Sequence, residues 1–132
     1  MQSPLTVPPA LLVTGGAGLV GSRVTRLLLE QGARVVVADD LSAGGPERLT
    51  SIEETACLRH VDVSAPGAFQ DLLQREGPFD TIIHLAARVG VRRVLSDPEG
   101  CRREHLDACS GLIGALAACH RVPRVISAST SE

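Results

Sequence analysis

The sequence contains no lysine, tyrosine or tryptophan, and only two phenylalanines. All thirteen basic residues are therefore arginines. A core with so few aromatic rings has to be built from leucine, valine, isoleucine and alanine, and hydrophobic residues make up 44% of the 132 positions. The absence of tyrosine and lysine also excludes proton transfer by a phenol or a side-chain amine within these residues.

The sequence also lacks a strong charge of either sign, since its formal net charge is −2. Binding to nucleic acid or to an anionic membrane normally depends on clustered positive charge. No apolar run approaches the ~20 residues of a membrane-spanning helix. Residues 1–9 hold three prolines rather than a basic start followed by an apolar core. We therefore expect a flexible tail over 1–9, no nucleic-acid or membrane partner, and a cytoplasmic location.

None of the four cysteines belongs to a C-x-x-C pair; they are Cys57, Cys101, Cys109 and Cys119. Without a secretory signal, we expect reduced and buried thiols. Cys101, His105 and Cys109 share one face of a predicted helix, so a zinc site is an alternative. Because residues i and i+8 are about 12 Å apart along a helix, core packing is favoured over a shared metal ion.

Short apolar runs alternate with stretches of helical periodicity. Strands are predicted at Leu11–Thr14, Val35–Val37, Cys57–Val63, Thr81–Leu85 and Val125–Ala128. Helices are predicted at Leu19–Gln31, Ala65–Glu76 and Glu99–His120, with a short one within Pro46–Glu54. The apolar stripe of the first helix consists of Val20, Val24, Leu27 and Leu28. This alternation predicts an α/β domain over residues 10–132, with a parallel sheet covered on both faces.

A glycine-rich turn follows the first strand. It reads T-G-G-A-G-L-V-G-S from Thr14 to Ser22, with Gly15, Gly18 and Gly21 in a G-x-x-G-x-x-G pattern. Phosphate can approach a backbone that carries no Cβ, and the following helix points N–H groups and its positive dipole end at it. The context predicts a dinucleotide-binding Rossmann-type, doubly wound sheet of strand order 3-2-1-4-5. The alternative is a tight β–α turn without a ligand.

The second strand ends in an acidic pair, Asp39 and Asp40. Asp39 lies eighteen positions beyond Gly21. A carboxylate at that place accepts hydrogen bonds from a ribose diol and repels a 2′-phosphate, which favours NAD over NADP. Arg34 begins the same strand and points away from its diol end. We therefore predict NAD as the cofactor; the alternative is a solvated acidic loop.

Taken together, the motifs resemble the N-terminal part of the extended short-chain dehydrogenases/reductases, in the NAD-dependent epimerase/dehydratase group that acts on nucleotide sugars. Besides the glycine turn, the resemblance rests on A-D-D-L-S at 38–42, D-V at 62–63, H-L-A-A at 84–87, V-G-V-R-R at 89–93 and S-T-S-E at 129–132. It runs from Leu11 to Glu132. It implies a sheet truncated after its fifth strand and, for the intact enzyme, a nucleotide-sugar substrate and a homodimer.

The resemblance implies roles for the matching positions. The pyrophosphate would be lined by Gly15, Gly18 and Gly21, with Leu19 and Val20 in the same turn. Asp39 would hold the adenosine ribose, with Asp40 and Ser42 beside the ribose and phosphate. The adenine would meet Asp62 and Val63, and the cofactor would be bordered by Leu85, Ala86 and Ala87. Thr130 would hydrogen-bond the reacting sugar hydroxyl.

Structural alternatives exist for several of these positions. Asp62 also fits a strand end or a helix cap, the two alanines fit close packing, and Thr130 fits an ordinary hydroxyl. His84 lies inside an apolar strand, which favours a hydrogen-bonded core histidine over a base. The arginines at 88, 92, 93, 102 and 103 fit a substrate phosphate. The near-neutral charge instead favours a solvated face balanced by Asp97, Glu99 and Glu104.

Two features depart from the family pattern. The helix after Asp97 and Pro98 usually carries an asparagine where this chain has His105. The family reaction also needs a tyrosine that acts as acid and base, and a lysine four residues later. The lysine is needed because the pKa of a phenol is ordinarily ~10 and a nearby cation lowers it. We therefore expect an N-terminal fragment that binds NAD without catalysing the reaction. The alternatives are a non-catalytic dinucleotide-sensing or interaction module and another extended-family NAD-dependent reductase or dehydrogenase.

Overall fold

The computed structural model of the protein describes residues 7–43, 45–50, 56–88 and 90–129. Its strands are β1 (Ala10–Thr14), β2 (Arg34–Asp39), β3 (Ala56–His60), β4 (Thr81–His84) and β5 (Arg124–Ser127). Its α-helices are α1 (Leu19–Glu30), α2 (Ala68–Glu76), α3 (Val91–Ser96) and α4 (Pro98–Ala117), and Pro46–Leu49 forms a 3₁₀ turn.

The strands form one sheet in the order β3-β2-β1-β4-β5. Every neighbouring pair is parallel, and β1 is central, with Leu12 opposite Val36 on one side and Ile82 on the other. This order confirms the predicted doubly wound sheet. It places the carboxyl ends of β1, β2, β3 and β4 along one edge, where the strand order reverses and where such folds bind ligands.

The sheet is covered on both faces because successive residues of a strand face opposite sides. One core joins the sheet to α2 and α4, and its larger members are Leu12, Val36, Phe69, Leu72, Ile82 and Leu112. The other lies on the α1 side and includes Leu11, Val13, Val35, Val37 and Leu49. The β-branched run in β2 thus packs on both faces, as expected for a strand of a parallel sheet.

The predicted apolar stripe of α1 is wrong in part. Val20 and Leu27 are 61% and 60% exposed, whereas the buried residues of the helix are Gly21, Ser22 and Thr25. Small residues let the first half of α1 lie close to the glycine turn, which a stripe of large side chains would prevent. Leu28 of the predicted stripe does pack against the core on this side, so hydrophobic periodicity located the helix correctly but misassigned part of its packing face.

Several predicted boundaries also differ from the structure. The third strand ends at His60 rather than Val63, and the last helix ends at Ala117 rather than His120. Within the described part of the range Pro46–Glu54, where a short helix was predicted, Pro46–Leu49 forms a 3₁₀ turn; residues 51–55 lie outside the described part. Helix α3 was not predicted, since it is only six residues long and has no buried residue.

The outer surfaces of β5 and α4 carry exposed apolar side chains. Val125 and Ile126 in β5 are 37% and 49% exposed, and Leu106 and Ile113 on α4 are 48% and 67% exposed. All four residues of β5 are exposed, so the described part of the chain leaves this edge of the sheet uncovered. Of the helices that the structure describes, none combines the length and apolarity needed to span a bilayer.

Candidate functional site

A groove of about 370 Å³ runs along the carboxyl ends of the strands. It is lined by all thirteen residues that the sequence predicted to contact a cofactor: Gly15, Gly18, Leu19, Val20, Gly21, Asp39, Asp40, Ser42, Asp62, Val63, Leu85, Ala86 and Ala87. These residues come from four separate segments of the chain. Thr130, predicted to contact the substrate, lies outside the described residues.

The glycine turn has no room for side chains. Gly15 has a positive φ of 73°, and a Cβ there would lie 2.8 Å from the backbone nitrogen of Ala86. A Cβ on Gly21 would overlap the carbonyl oxygen of Gly15 and lie 2.7 Å from the Cα of Gly16. Helix α1 begins after Gly18, and no capping side chain among the described residues accepts a hydrogen bond from its first N–H groups. Its first N–H groups are therefore available to an anion, and the turn fits a pyrophosphate.

Asp39 connects the glycine turn to the loop that follows β2. The residue is 9% exposed, and its Oδ2 accepts from the backbone nitrogen of Ala17 at 2.9 Å while Oδ1 accepts from that of Leu41 at 2.8 Å. Each oxygen of a carboxylate has a further lone pair. The group can thus hold the turn in place and still accept hydrogen bonds from a diol in the groove.

Asp40 is exposed, and its carboxylate is hydrogen-bonded to the loop that follows it. Its Oδ1 accepts from the backbone nitrogen of Ser42 at 2.9 Å. Burial alone would raise the pKa of Asp40, but the hydrogen bonds from Ser42 and the charges of Arg93 and His60 outweigh it, so the pKa is lowered. The guanidinium of Arg93, from α3, also donates to the carbonyl oxygen of Ser42 at 3.4 Å. Asp40 is therefore a charged group at the outer end of the groove.

A buried hydrogen-bond network fixes the end of β4 against β1. The Thr14 hydroxyl oxygen accepts from the backbone nitrogens of Leu85 and Ala86, each at 3.2 Å, and lies 2.7 Å from Nδ1 of His84. Because the oxygen already accepts these bonds, its single proton is donated to Nδ1, which places the proton of the neutral imidazole on Nε2. Burial first, and the nearby His105 second, lower the pKa of His84.

His84 is thus a core histidine, as predicted, but only one of its ring nitrogens is satisfied. Its Nε2 is buried and has no hydrogen-bond partner among the described residues. The ring also meets Phe69 edge to face, with centroids 5.7 Å apart. The network positions the segment from Leu85 to Ala87 along the groove. Because His84 itself is buried, it is not in a position to act as a base.

Asp62 forms a turn rather than a helix cap. Its Oδ1 accepts from the backbone nitrogen and the hydroxyl of Ser64, at 2.9 and 2.6 Å. Helix α2 begins several residues later, with Gly67 at its N-cap position, so the capping alternative is wrong. The side chain is exposed in the groove wall, and its contact with an adenine stays a prediction.

Sequence reasoning missed the part of the wall that α4 supplies. Glu104, His105 and Ala108 line the groove together with Arg88. Arg88 pairs with Glu104 at 2.5 Å and with Asp97 at 3.5 Å, and Arg102 pairs with Glu99 at 2.6 Å. These ion pairs agree with the balanced helix face favoured from the sequence. Only the packing of α4 beside β4 brings its residues to the groove, and no local pattern signals that placement.

The cysteines do not have the buried positions predicted for them. Cys57 is exposed, and Cys101, Cys109 and Cys119 are partly exposed. The Sγ of Cys109 lies 3.8 Å from Nε2 of His105. Among the described residues, no group of three histidine, cysteine or acidic side chains is arranged to hold a metal ion.

The sheet, the glycine turn and the acid at the end of β2 define a dinucleotide-binding α/β domain. The sequence profile of the NAD dependent epimerase/dehydratase family matches residues 11–132, and the chain belongs to that family. This membership confirms the resemblance inferred from the motifs.

Individual relatives agree with the family assignment. The UDP-glucose 4-epimerase of Mycolicibacterium smegmatis is 40% identical over 105 residues, which are 80% of this chain and 32% of that protein. The structure of UDP-glucose 4-epimerase from Brucella ovis in complex with NAD has a TM-score of 0.76 and 28% identity, over 90% of this chain and 35% of the other.

A structure of UDP-glucose-4-epimerase from Stenotrophomonas maltophila holds NAD and formylated UDP-arabinopyranose. Its TM-score is 0.82 at 25% identity, over 93% of this chain and 37% of the other. The chain thus spans about a third of the length of the relatives it matches.

Proposed function

We propose that this chain binds NAD(H) in the groove along the carboxyl ends of its strands. One observation carries the proposal: the thirteen residues that match cofactor positions of the family line a single groove. That groove includes a helix N-terminus that no side chain caps. Membership of an NAD-dependent family and the NAD complexes of similar structures support it.

The residues suggest how the cofactor is held. The pyrophosphate would lie on the turn from Gly15 to Gly21, where a Cβ would block its approach. The adenosine ribose would meet Asp39, and the segment from Leu85 to Ala87 would border the far half of the cofactor. When bound, NAD supplies a hydride acceptor, and the protein supplies orientation and exclusion of water.

We further propose that the domain serves a nucleotide-sugar epimerase or dehydratase, with a sugar hydroxyl positioned by Thr130. The names of the similar proteins support this substrate class. These 132 residues contain no tyrosine or lysine, so we expect them to bind the cofactor without turnover. Thr130 can orient a hydroxyl, but its own hydroxyl is too weak a base to remove the proton.

A fluorescence titration with NADH tests the binding. We expect a saturable change for the folded chain, and weaker binding of NADPH because Asp39 and Asp40 would repel its 2′-phosphate. Circular dichroism should first establish that the chain is folded. A folded chain with no saturable response to NADH would refute the proposal.

A second candidate, a non-catalytic dinucleotide-sensing module, is favoured by the absence of tyrosine and lysine. Both candidates predict no turnover by these residues alone, so the assay with NAD and UDP-glucose or UDP-galactose, which an epimerase interconverts, has to include the rest of the enzyme. The sensing module is favoured if the chain binds the cofactor but the two sugars are not interconverted. This should hold even when the part of a relative that this chain does not match, about two thirds of its length, is added as a separate chain. The third candidate is an extended-family reductase or dehydrogenase. A dehydrogenase would oxidise its substrate and leave net NADH, whereas a reductase would consume added NADH.

The exposed apolar residues on α4 suggest a homodimer. Leu106 and Ile113 are seven positions apart, so they lie on one face of the helix, and they are 48% and 67% exposed. We propose that this face packs against its counterpart in a second chain. Light scattering should detect the dimer, and I113E should shift it towards monomer.

A further inference from the structure

Arg48 connects the 3₁₀ turn that follows β2 to the glycine turn. Its Nη1 donates to the carbonyl oxygen of Ala17 at 3.4 Å, although the two residues are 31 positions apart in the chain. The neighbouring Leu49 is only 1% exposed and belongs to the core on the α1 side, as does Ala17. Packing therefore anchors the backbone that carries Arg48 beside the glycine turn.

The bond from Arg48 completes a set of contacts that fix two consecutive peptide units of the turn. In the first unit, the Ala17 N–H donates to Oδ2 of Asp39 at 2.9 Å. The next unit is planar and contains the Ala17 carbonyl and the Gly18 N–H. Its oxygen accepts from Arg48, and its N–H donates to the carbonyl oxygen of Gly15 at 3.1 Å. Because both ends of this unit are bonded, it cannot rotate without losing hydrogen bonds.

The Ala17–Gly18 peptide unit leads directly into α1. The helix begins at Leu19, and no side chain among the described residues caps its first N–H groups. These are the groups that the proposed pyrophosphate would meet. A rotation of the peptide unit before them would change their direction. Arg48 therefore acts on the geometry of the anion site through the backbone of the turn.

Arg48 also brings a positive charge to the turn. Of the described residues that line the groove, only Arg88 carries a permanent positive charge, and it is paired with Glu104 and Asp97. No carboxylate in the described part of the chain forms an ion pair with Arg48. Its charge therefore adds to the positive end of the α1 dipole, which favours an anion at this place.

We infer that Arg48 is a positioning residue of the cofactor site, which holds the Ala17–Gly18 peptide unit and so strengthens binding of the diphosphate part of the dinucleotide. The inference rests on the proposed binding of NAD(H). The effect is specific to the diphosphate, because the residues predicted to meet the adenosine follow β2 and β3, whereas Arg48 bonds to the turn. R48A should raise the Kd of NADH and of ADP about three- to tenfold, the range expected for one lost hydrogen bond.

NMR titrations of the folded chain with ADP and with adenosine separate the two parts of the cofactor. For R48A, we expect weaker binding of ADP but a change of less than about twofold for adenosine, which has no phosphate. The matched control is R75A, which removes an exposed guanidinium from α2, where Arg75 pairs with Asp71; its affinity for both ligands should equal that of wild type. R48K, which keeps a charged donor, should bind ADP more tightly than R48A.

The bond itself can be observed without any ligand. Loss of a hydrogen bond to the Ala17 oxygen should move the carbonyl-carbon NMR resonance of Ala17 upfield in R48A and leave it in place in R75A. An unchanged resonance, an ADP affinity that R48A does not lower, or a loss that adenosine shares equally would overturn the inference while leaving NAD binding intact. A folded wild-type chain that binds neither NADH nor ADP would instead refute the proposed function.

Discussion

Replacing Gly21 with alanine tests whether the glycine turn is a close-packed unit. The added Cβ would overlap the carbonyl oxygen of Gly15 and lie 2.7 Å from the Cα of Gly16 and 2.8 Å from the carbonyl carbon of Gly15. All three atoms belong to the backbone, so no side chain can rotate away. Either α1 moves off the sheet or the turn opens, and both changes disturb the surface on which the pyrophosphate would lie.

The expected cost can be estimated by comparison with a second helical glycine. Overpacking costs about 1–3 kcal/mol, and the rigid backbone contacts at Gly21 place G21A at the upper end. At Gly114, in α4, nothing lies within 4 Å of an added Cβ, so G114A should stabilise the protein by about 0.5–1 kcal/mol through helix propensity. The two variants should therefore differ by about 3.5–4 kcal/mol, with opposite signs relative to wild type.

Urea unfolding followed by circular dichroism gives the two free energies, and the NADH titration gives the binding. We expect a lower midpoint for G21A with at least tenfold weaker NADH binding, and a higher midpoint for G114A with unchanged binding. If G21A is as stable as wild type and binds NADH normally, the close contact between α1 and the turn is not important for either property. If G114A is less stable than wild type, the assumption that alanine stabilises this position through its higher helix propensity is wrong.

Three further predictions concern the same region. Thr14→Val should lower the free energy of unfolding by about 1–3 kcal/mol, because Nδ1 of His84 and the nitrogen of Ala86 lose their partner; urea unfolding measures this, and T14S should retain most of the stability. Asp39→Ala should weaken NADH binding about 10- to 100-fold, as expected for lost hydrogen bonds to a charged group, whereas Asp40→Ala should have a much smaller effect; equal losses in the fluorescence titration would contradict the assigned roles. Stability should fall as the pH drops below about 6.5, because the unfolded chain protonates His84 at its ordinary pKa while the folded chain, with its lowered pKa, does not. An NMR titration of His84 in the folded protein with a midpoint above about 6.5 would reverse that sign.

The sequence predicts the sheet and much of the groove because their signals are local. A strand, a glycine turn, a helix and an acid eighteen positions after Gly21 occur in an order that few structures share. The parallel sheet follows from short apolar strands separated by helices. The residues of the groove then come together because parallel strands end at one edge, as Asp39 and Leu85 do here.

The packing face of α1 and the contribution of α4 could not be predicted in this way. Hydrophobic periodicity assumes that the largest apolar residues face the core, but here Gly21 and Thr25 do so and Leu27 does not. Because this face of α1 lies close to the glycine turn, only small residues fit on it. Likewise, His105 reaches the groove only because α4 packs against α2 and β4, which is a property of the assembled layers.

The residues that would hold the cofactor also hold the fold together. Asp39 joins the end of β2 to the glycine turn through Ala17 and to the following loop through Leu41. Thr14 joins the ends of β1 and β4 through buried bonds to His84 and Ala86. Because these bonds are made within the protein itself, the groove has its shape before any ligand arrives. The free energy of binding is then not spent on ordering the turn, and substitutions at these positions should change stability and affinity together.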